Sequence, residues 1–233
     1  MRMRIRARSQ QDKRERRQRL LSAAMELFVE RGYESPTVEM ITKRAGVSVG
    51  AFYLYFRGKH EIYKVFQNEG IDVLFGMLGP VFSGDYPSAR ERLVQLAGAY
   101  LRFFRQYRHY YGFIALISIG GQGELRETET EIGRTIDEKT VVLLRQIEAA
   151  VASGIRSGEF YPVDAWKTAC VLWGMMDGFI LMHERDNVRV AGVTLDELVM
   201  GGLETVFSGI ARRSHTSDAR ETGGGVTVRR PSR

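Results

Sequence analysis

The side chains able to do chemistry are unevenly spread. In 233 residues there are four histidines, His60, His109, His183 and His215, and one cysteine, Cys170. None of them falls at the spacing of a metal site. A lone cysteine excludes an internal disulfide and suits a reducing compartment. No nucleophile elbow, Walker loop or dinucleotide fingerprint is present. The Gly120-Gly121-Gln122-Gly123 run lacks the Lys-Ser/Thr of a phosphate loop, follows no strand and reads as a helix break. What the chain does concentrate is groups that donate to phosphate. Hydroxyls (Thr37, Ser48), phenols (Tyr53, Tyr55) and cations (Lys43, Arg44, Arg57, Lys59) stand within one short stretch, and such groups grip a nucleic-acid backbone without reading its sequence.

Those groups need a scaffold, and the same stretch supplies one. TVEMITKRAGVSVGAFYLYFRGK, residues 37–59, reads as two short helices around an Ala-Gly-Val-Ser turn with a third helix beyond, the helix-turn-helix pattern. Thr37 is suited to cap a helix from Val38 to about Ala45, and Ser48 to cap the next. Gly46 supplies the left-handed residue between them. Glu39 lies in the first turn, where the helix dipole favours a carboxylate; the rival reading has it accept from a cytosine amino group. Ile41, Ala45, Val47 and Phe52 read as inward. Upstream, Leu20, Ala24, Leu27 and Phe28 make one apolar stripe on a helix from about Asp12 to Arg31, closed by Gly32. Residues 1–11, with Arg2, Arg4, Arg6 and Arg8, read as a flexible basic arm. Such an arm is either idle or touches phosphates or a minor groove.

Charge follows the same division. Residues 1–58 hold 13 Lys and Arg against 6 Asp and Glu, residues 59–211 hold 15 against 20, and residues 212–233 hold 6 against 2. A basic end on an acidic body is the footprint of a polyanion bound at that end.

From Leu20 to Val65 the sequence resembles the DNA-binding domain of the TetR family of bacterial transcriptional regulators. The motifs that carry the resemblance are LLSAAMELFVERGY at 20–33, TVEMITKRAGVS at 37–48 and GAFYLYFRGKHEI at 50–62. Thr42 departs from the family's usual alanine but is small enough to fit. The resemblance implies phosphate or groove-edge contacts for Thr37, Ser48, Tyr53, Tyr55 and Lys59. It implies base contacts for Val49, Gly50 and Ala51 at the start of the recognition helix. None of these three can make a bidentate hydrogen bond, so thymine-methyl contact, close backbone approach at Gly50 and DNA shape are expected instead. Lys43 and Arg44 reach either the backbone or a guanine edge. Phe52 and Phe56 read as core.

The rest of the chain reads as helices. They run from Lys59 to about Phe82, from about Ser88 to Tyr107, through the aromatic segment HYYGFIALISIG, from Glu124 to about Ser157, over Ala165–Arg185 and over Thr194–Arg212. The rings of Tyr100, Phe103, Phe104, Tyr107, Tyr110, Tyr111, Phe113, Trp166, Trp173 and Phe179 fill this body. Singly, each reads as core; together they predict a cavity for an apolar or aromatic ligand, lined by Tyr100, Phe104, Tyr107, Tyr111, Phe113 and Trp173. Asp177 reads either as a ligand anchor or as a satisfied interface carboxylate, and Cys170 as a small buried residue. The last two helices are apolar on more than one side and carry Ala169, Gly174 and Gly178, and Gly201, Gly202 and Gly209. A monomer would leave a large apolar face wet, and the resemblance implies that these helices pair with a second copy.

The sequence therefore predicts an all-α protein of about nine helices. Its parts are a basic arm (1–11), a three-helix helix-turn-helix domain (12–58), a ligand-binding and dimerisation body (59–212) and a disordered basic tail (213–233). The expected function is a cytoplasmic homodimeric repressor that binds a palindromic double-stranded DNA operator and is released by a small apolar or aromatic effector, without a cofactor. The alternatives are an activator, an architectural DNA binder, or an all-helical enzyme acting on the pocket ligand. No enzyme is expected. The longest nearly uncharged run, about Tyr110 to Ile119, is well short of the ~20 residues that cross a bilayer, so no membrane partner is expected.

Overall fold

A computed structural model describes residues 2–115, 131–185 and 192–211, with side chains from Gln10 onward. The helix breaks and tail expected at 120–123 and 213–233 lie outside the described residues. Among the described residues the regular structure is entirely helical. The helices are α1 (Arg2–Arg31), α2 (Val38–Ala45), α3 (Val49–Phe52), α4 (Lys59–Ser83), α5 (Ala89–Gln106), α6 (Arg108–Ala115), α7 (Glu131–Ser157), α8 (Ala165–His183) and α9 (Leu195–Ile210). One isolated antiparallel bridge joins Phe160 to Ala211. No described helix is long and apolar enough to cross a membrane.

The caps show why the helices start where they do. Ser88 accepts from Glu91 N at 3.0 Å, while the Glu159 carboxylate, distant in sequence, takes the amides of Ala89 and Arg90 at 2.8 and 3.1 Å. Together they satisfy donors that the first turn of α5 leaves open. Asp164 caps α8, and Thr194 with Glu197 forms a full capping box on α9, satisfying two donors reciprocally.

Two apolar cores result. The first joins Leu20, Leu27 and Phe28 of α1, Ile41 of α2, Phe52 of α3 and Ile62, Tyr63 and Phe66 from the start of α4. The second is built on Ile71, Leu74 and Leu78 further along α4, with Leu93 and Phe103 of α5, Leu143 of α7, Ile180 of α8 and Phe207 of α9. One helix thus serves both cores. So does α6: Phe113 is buried in the first core and Tyr111 in the second, and Tyr110 packs against both.

The basic arm expected at 1–11 is corrected: α1 is helical from Arg2. No Gly or Pro interrupts residues 2–31, and Arg, Gln, Glu and Lys are strong helix formers. Gln11 Nε2 donates to Glu15 Oε1 at 2.9 Å across one turn.

Candidate nucleic-acid interface and ligand cavity

The helix-turn-helix unit is fixed by the residues that the sequence singled out. The Thr37 hydroxyl accepts from Met40 N at 3.3 Å, Gly46 ends α2 at φ 63°, and the Ser48 hydroxyl accepts from Ala51 N at 3.2 Å. Thr42 is buried and donates to Glu39 O at 3.0 Å, so the hydroxyl that departs from the usual alanine is satisfied within its own helix. The Glu39 carboxyl is held below its ordinary value, first by the Thr37 hydroxyl and then by its own backbone amide, which supports its role in the first turn.

Recognition helix α3 is a single turn, Val49–Phe52, and Tyr53 to Tyr55 form the turn that follows. Phe52 and Phe56 are four apart and buried. Between them Tyr53 and Leu54 must face outward, and Leu54 is 81% exposed. Leu54 was not among the residues expected at the interface. Its signal lay in that i, i+4 pair, which leaves the residues between on the solvent side. Val49 and Gly50 are exposed, Ala51 and Tyr55 half-buried, and Lys43 exposed.

Two residues expected to contact DNA are already engaged within the chain. Arg44 makes a bidentate pair with Glu30 of α1 at 2.9 and 3.0 Å and lies 3.6 Å from Glu26. Lys59 Nζ donates to the carbonyls of Tyr33 and Glu34 at 3.1 and 2.8 Å and sits 4.6 Å from the centre of the Tyr33 ring. It thereby ties the chain beyond α1 to the start of α4. Sequence could not reveal this, because the partners lie 25 and 26 residues away.

In the second core lies an apolar cavity of about 50 Å³, walled by Leu78, Leu93, Leu96, Tyr100, Leu143 and Trp173 among others. Of the expected ligand contacts, Tyr100 and Trp173 line it. Asp177 stands one layer behind. Its Oδ1 accepts from Tyr100 OH at 2.6 Å and Tyr111 OH at 3.4 Å. Burial pushes the Asp177 carboxyl above its ordinary value, against the pull of hydrogen bonds from Tyr100, Trp173 and Tyr111. Burial, and then the nearby Asp177 charge, push the Tyr100 and Tyr111 phenols well up as well. Phe104 meets the Tyr111 ring edge-on at 5.0 Å, and Tyr107 stacks on Phe103 at 6.1 Å; neither is on the cavity wall.

Phe113 is placed elsewhere. Its ring lies 5.0 Å from that of Tyr63, 5.2 Å from Phe66 and 6.3 Å from Phe28, inside the first core. It follows Tyr111 by two residues, so the short α6 points the two side chains at different cores. Cys170, expected to be buried, is exposed. It shares the open side of α8 with Val171 and Met182, 57% and 44% exposed, and Met200 of α9 is 43% exposed. Gly174, Gly178 and Gly201 have open space where a Cβ would stand, whereas Gly202 is filled by Phe179 and Met175.

The family model for bacterial regulatory proteins of the tetR family matches residues 20–66. The chain is 25% identical over 199 residues to the fatty acid metabolism regulator protein of Bacillus subtilis, covering 85% of this chain and 97% of that one. It is 43% identical over 60 residues to the transcriptional activator FasR of Mycolicibacterium smegmatis, a local match spanning 26% of this chain and 27% of that one. The fold is similar to that of AibR, solved in complex with isovaleryl coenzyme A and operator DNA. That likeness has a TM-score of 0.62 at 20% identity and covers 82% of this chain and 98% of that one. The helix-turn-helix geometry and the family model lying on it agree: residues 20–66 are a DNA-binding domain of the tetR family of bacterial regulatory proteins, and the chain is similar along most of its length to a regulator.

Proposed function

We propose that this chain is a homodimeric repressor that leaves its operator when an apolar effector enters the second core. The observation that carries the reading is α6. The Tyr111 end of that helix is hydrogen-bonded to Asp177 behind the cavity wall, and the Phe113 end is packed among the rings that hold the reader together. The same helix presses on α4. Tyr63 OH donates to Gly112 O at 3.5 Å, Tyr110 OH donates to Glu69 at 3.2 Å, and a Cβ at Gly70 would meet the Tyr110 Cβ at 3.0 Å.

The cavity is too small for an effector of the usual size, since sites for drug-sized ligands run to several hundred Å³. Entry must therefore push Tyr100 and Trp173 outward. Asp177 bonds Tyr100 directly, so the strain reaches Tyr111, α6 and the start of α4. The acyl chain of a thioester matches the apolar lining in character, and regulators similar to this chain include one concerned with fatty acid metabolism and one bound to an acyl coenzyme A. DNA contacts are assigned to Thr37, Lys43, Ser48, Val49, Gly50, Tyr53, Leu54 and Tyr55. Lys59 is assigned to tying the chain beyond α1 to the start of α4, and Arg44 to the tie with Glu30.

The open side of α8 and α9 is assigned to a second copy. Exposed Val171, Met182 and Met200 beside uncovered glycines suit close helix approach across a two-fold axis, and two readers then meet a palindrome about one turn, ~34 Å, apart. A selected operator duplex titrated with acyl coenzyme A thioesters of graded chain length tests the reading. Release by at least one length class is expected. Undiminished binding across the series, with the thioesters shown to bind, would overturn it.

A further inference from the structure

Helix α1 is much longer than the core it serves. Its first buried residue is Leu20, so the segment from Arg2 to Leu20 overruns the reader by eighteen residue steps, about 27 Å at 1.5 Å per residue. Every residue from Gln10 to Arg19 is exposed. Through Arg19 the chain carries nine cationic side chains, Arg2, Arg4, Arg6, Arg8, Lys13, Arg14, Arg16, Arg17 and Arg19, against Asp12 and Glu15.

The register of these charges is informative. At about 100° per residue, positions 13 and 17 fall in the same arc as Leu20, Ala24 and Leu27, the face that packs on the reader. One face of α1 therefore changes from apolar to basic at the point where the reader ends. Arg17 marks the change, with its guanidinium 5.2 Å from the centre of the Phe56 ring, just after the turn that exposes Tyr53 and Leu54. The overrun leaves the molecule beside the recognition turn.

We propose that Arg2–Arg19 of α1 is a second DNA-contacting element, gripping the phosphate backbone that flanks the half-site beneath α3. The inference rests on the regulator reading above. Phosphate contact by this helix adds affinity and salt dependence but no base preference. It also extends the footprint beyond the palindrome.

The test uses the full chain and two charge-neutralised variants, R2Q/R4Q/R6Q/R8Q and K13Q/R14Q/R16Q, leaving Arg17 on Phe56. The probes are a duplex selected from a random library by the unmodified chain, the same duplex trimmed to the palindrome, and a scrambled duplex. Each lost phosphate contact should lower the slope of log affinity against log salt by about 0.9. We expect slopes lower by two to three contacts' worth, about 2 to 3 units, and affinity on the long duplex down tenfold or more near physiological salt. Preference for the selected over the scrambled sequence should be unchanged, and the unmodified chain alone should lose affinity on the trimmed duplex. Equal slopes and equal trimming effects in all three proteins, with helicity retained, would overturn the second contact while leaving the regulator reading intact. Failure of the unmodified chain to bind any duplex would sink the regulator reading and this inference with it.

Discussion

The two cores are packed to different ends. The reader core closes on interlocked rings, with Phe28, Tyr33, Tyr63, Phe66 and Phe113 meeting edge-on or tilted at 4.8 to 6.3 Å. The body core has as many buried rings but keeps a small apolar void and, beside it, a half-buried carboxylate held by two phenols. Tight packing suits an element that must hold a fixed shape on DNA. A void beside a polar cluster suits an element that must yield. Under the proposed function the difference puts control at α6, which inserts one side chain into each core.

The largest effect expected from breaking this contrast is at Phe113. Phe113→Ala opens a cavity among the reader's rings and should cost about 3–5 kcal/mol of stability in urea unfolding, with operator binding lost at temperatures where the body is still folded. A cost near that of an exposed substitution would mean that α6 is not a structural part of the reader.

Next comes Lys59. Lys59→Ala removes a cation from two carbonyls and a ring, and should cost about 1–3 kcal/mol, toward the lower end because the group is half-buried. Lys43→Ala should leave stability unchanged and flatten the salt dependence of operator binding by about 0.9 for each protomer on the operator. The opposite pattern, with Lys59 changing the slope and Lys43 the stability, would return Lys59 to the phosphate contacts.

Asp177 sharpens the comparison through pH. Its folded-state carboxyl titrates above the ordinary 3.8, so the folded chain holds this proton more tightly than the unfolded one. Its contribution is fully present below 3.8 and is lost as pH rises through the raised folded value. Asp177→Asn keeps a polar partner for Tyr100 without the buried charge. It should flatten stability against pH just above 3.8 and be neutral or stabilising near pH 7; a steeper profile would contradict the assignment. The smallest effect is expected at Thr42→Ala, which removes a hydroxyl whose bond stays inside α2, at about 1 kcal/mol or less and with no change in operator preference.

Much of this was legible in the residues. The caps at Thr37 and Ser48, the left-handed Gly46 and the buried Phe52 and Phe56 follow from local spacing, and the structure has each as expected. Partners distant in the chain were not legible. Arg44 and Lys59 look free for DNA until α1 and the chain just beyond it come to lie beside them, and the direction in which Phe113 points depends on how α6 docks. Cys170 sits on a helix apolar on several sides, so periodicity alone cannot say which side lacks a neighbour. The basic start of α1 reads as an arm from its arginines alone, although the absence of Gly and Pro through Arg31 is a helical signal.

The central claim is that the cavity and the reader are coupled through the Tyr111 end of α6, and coupling between two ligands must be reciprocal. The direct measurement is operator affinity with and without a saturating acyl coenzyme A thioester, and thioester affinity with and without operator, in the unmodified chain and in Tyr111→Phe. The account predicts that each ligand weakens the other by the same factor in the unmodified chain. In Tyr111→Phe, folded and still able to bind both, that factor should fall toward one. An undiminished factor in Tyr111→Phe would contradict it.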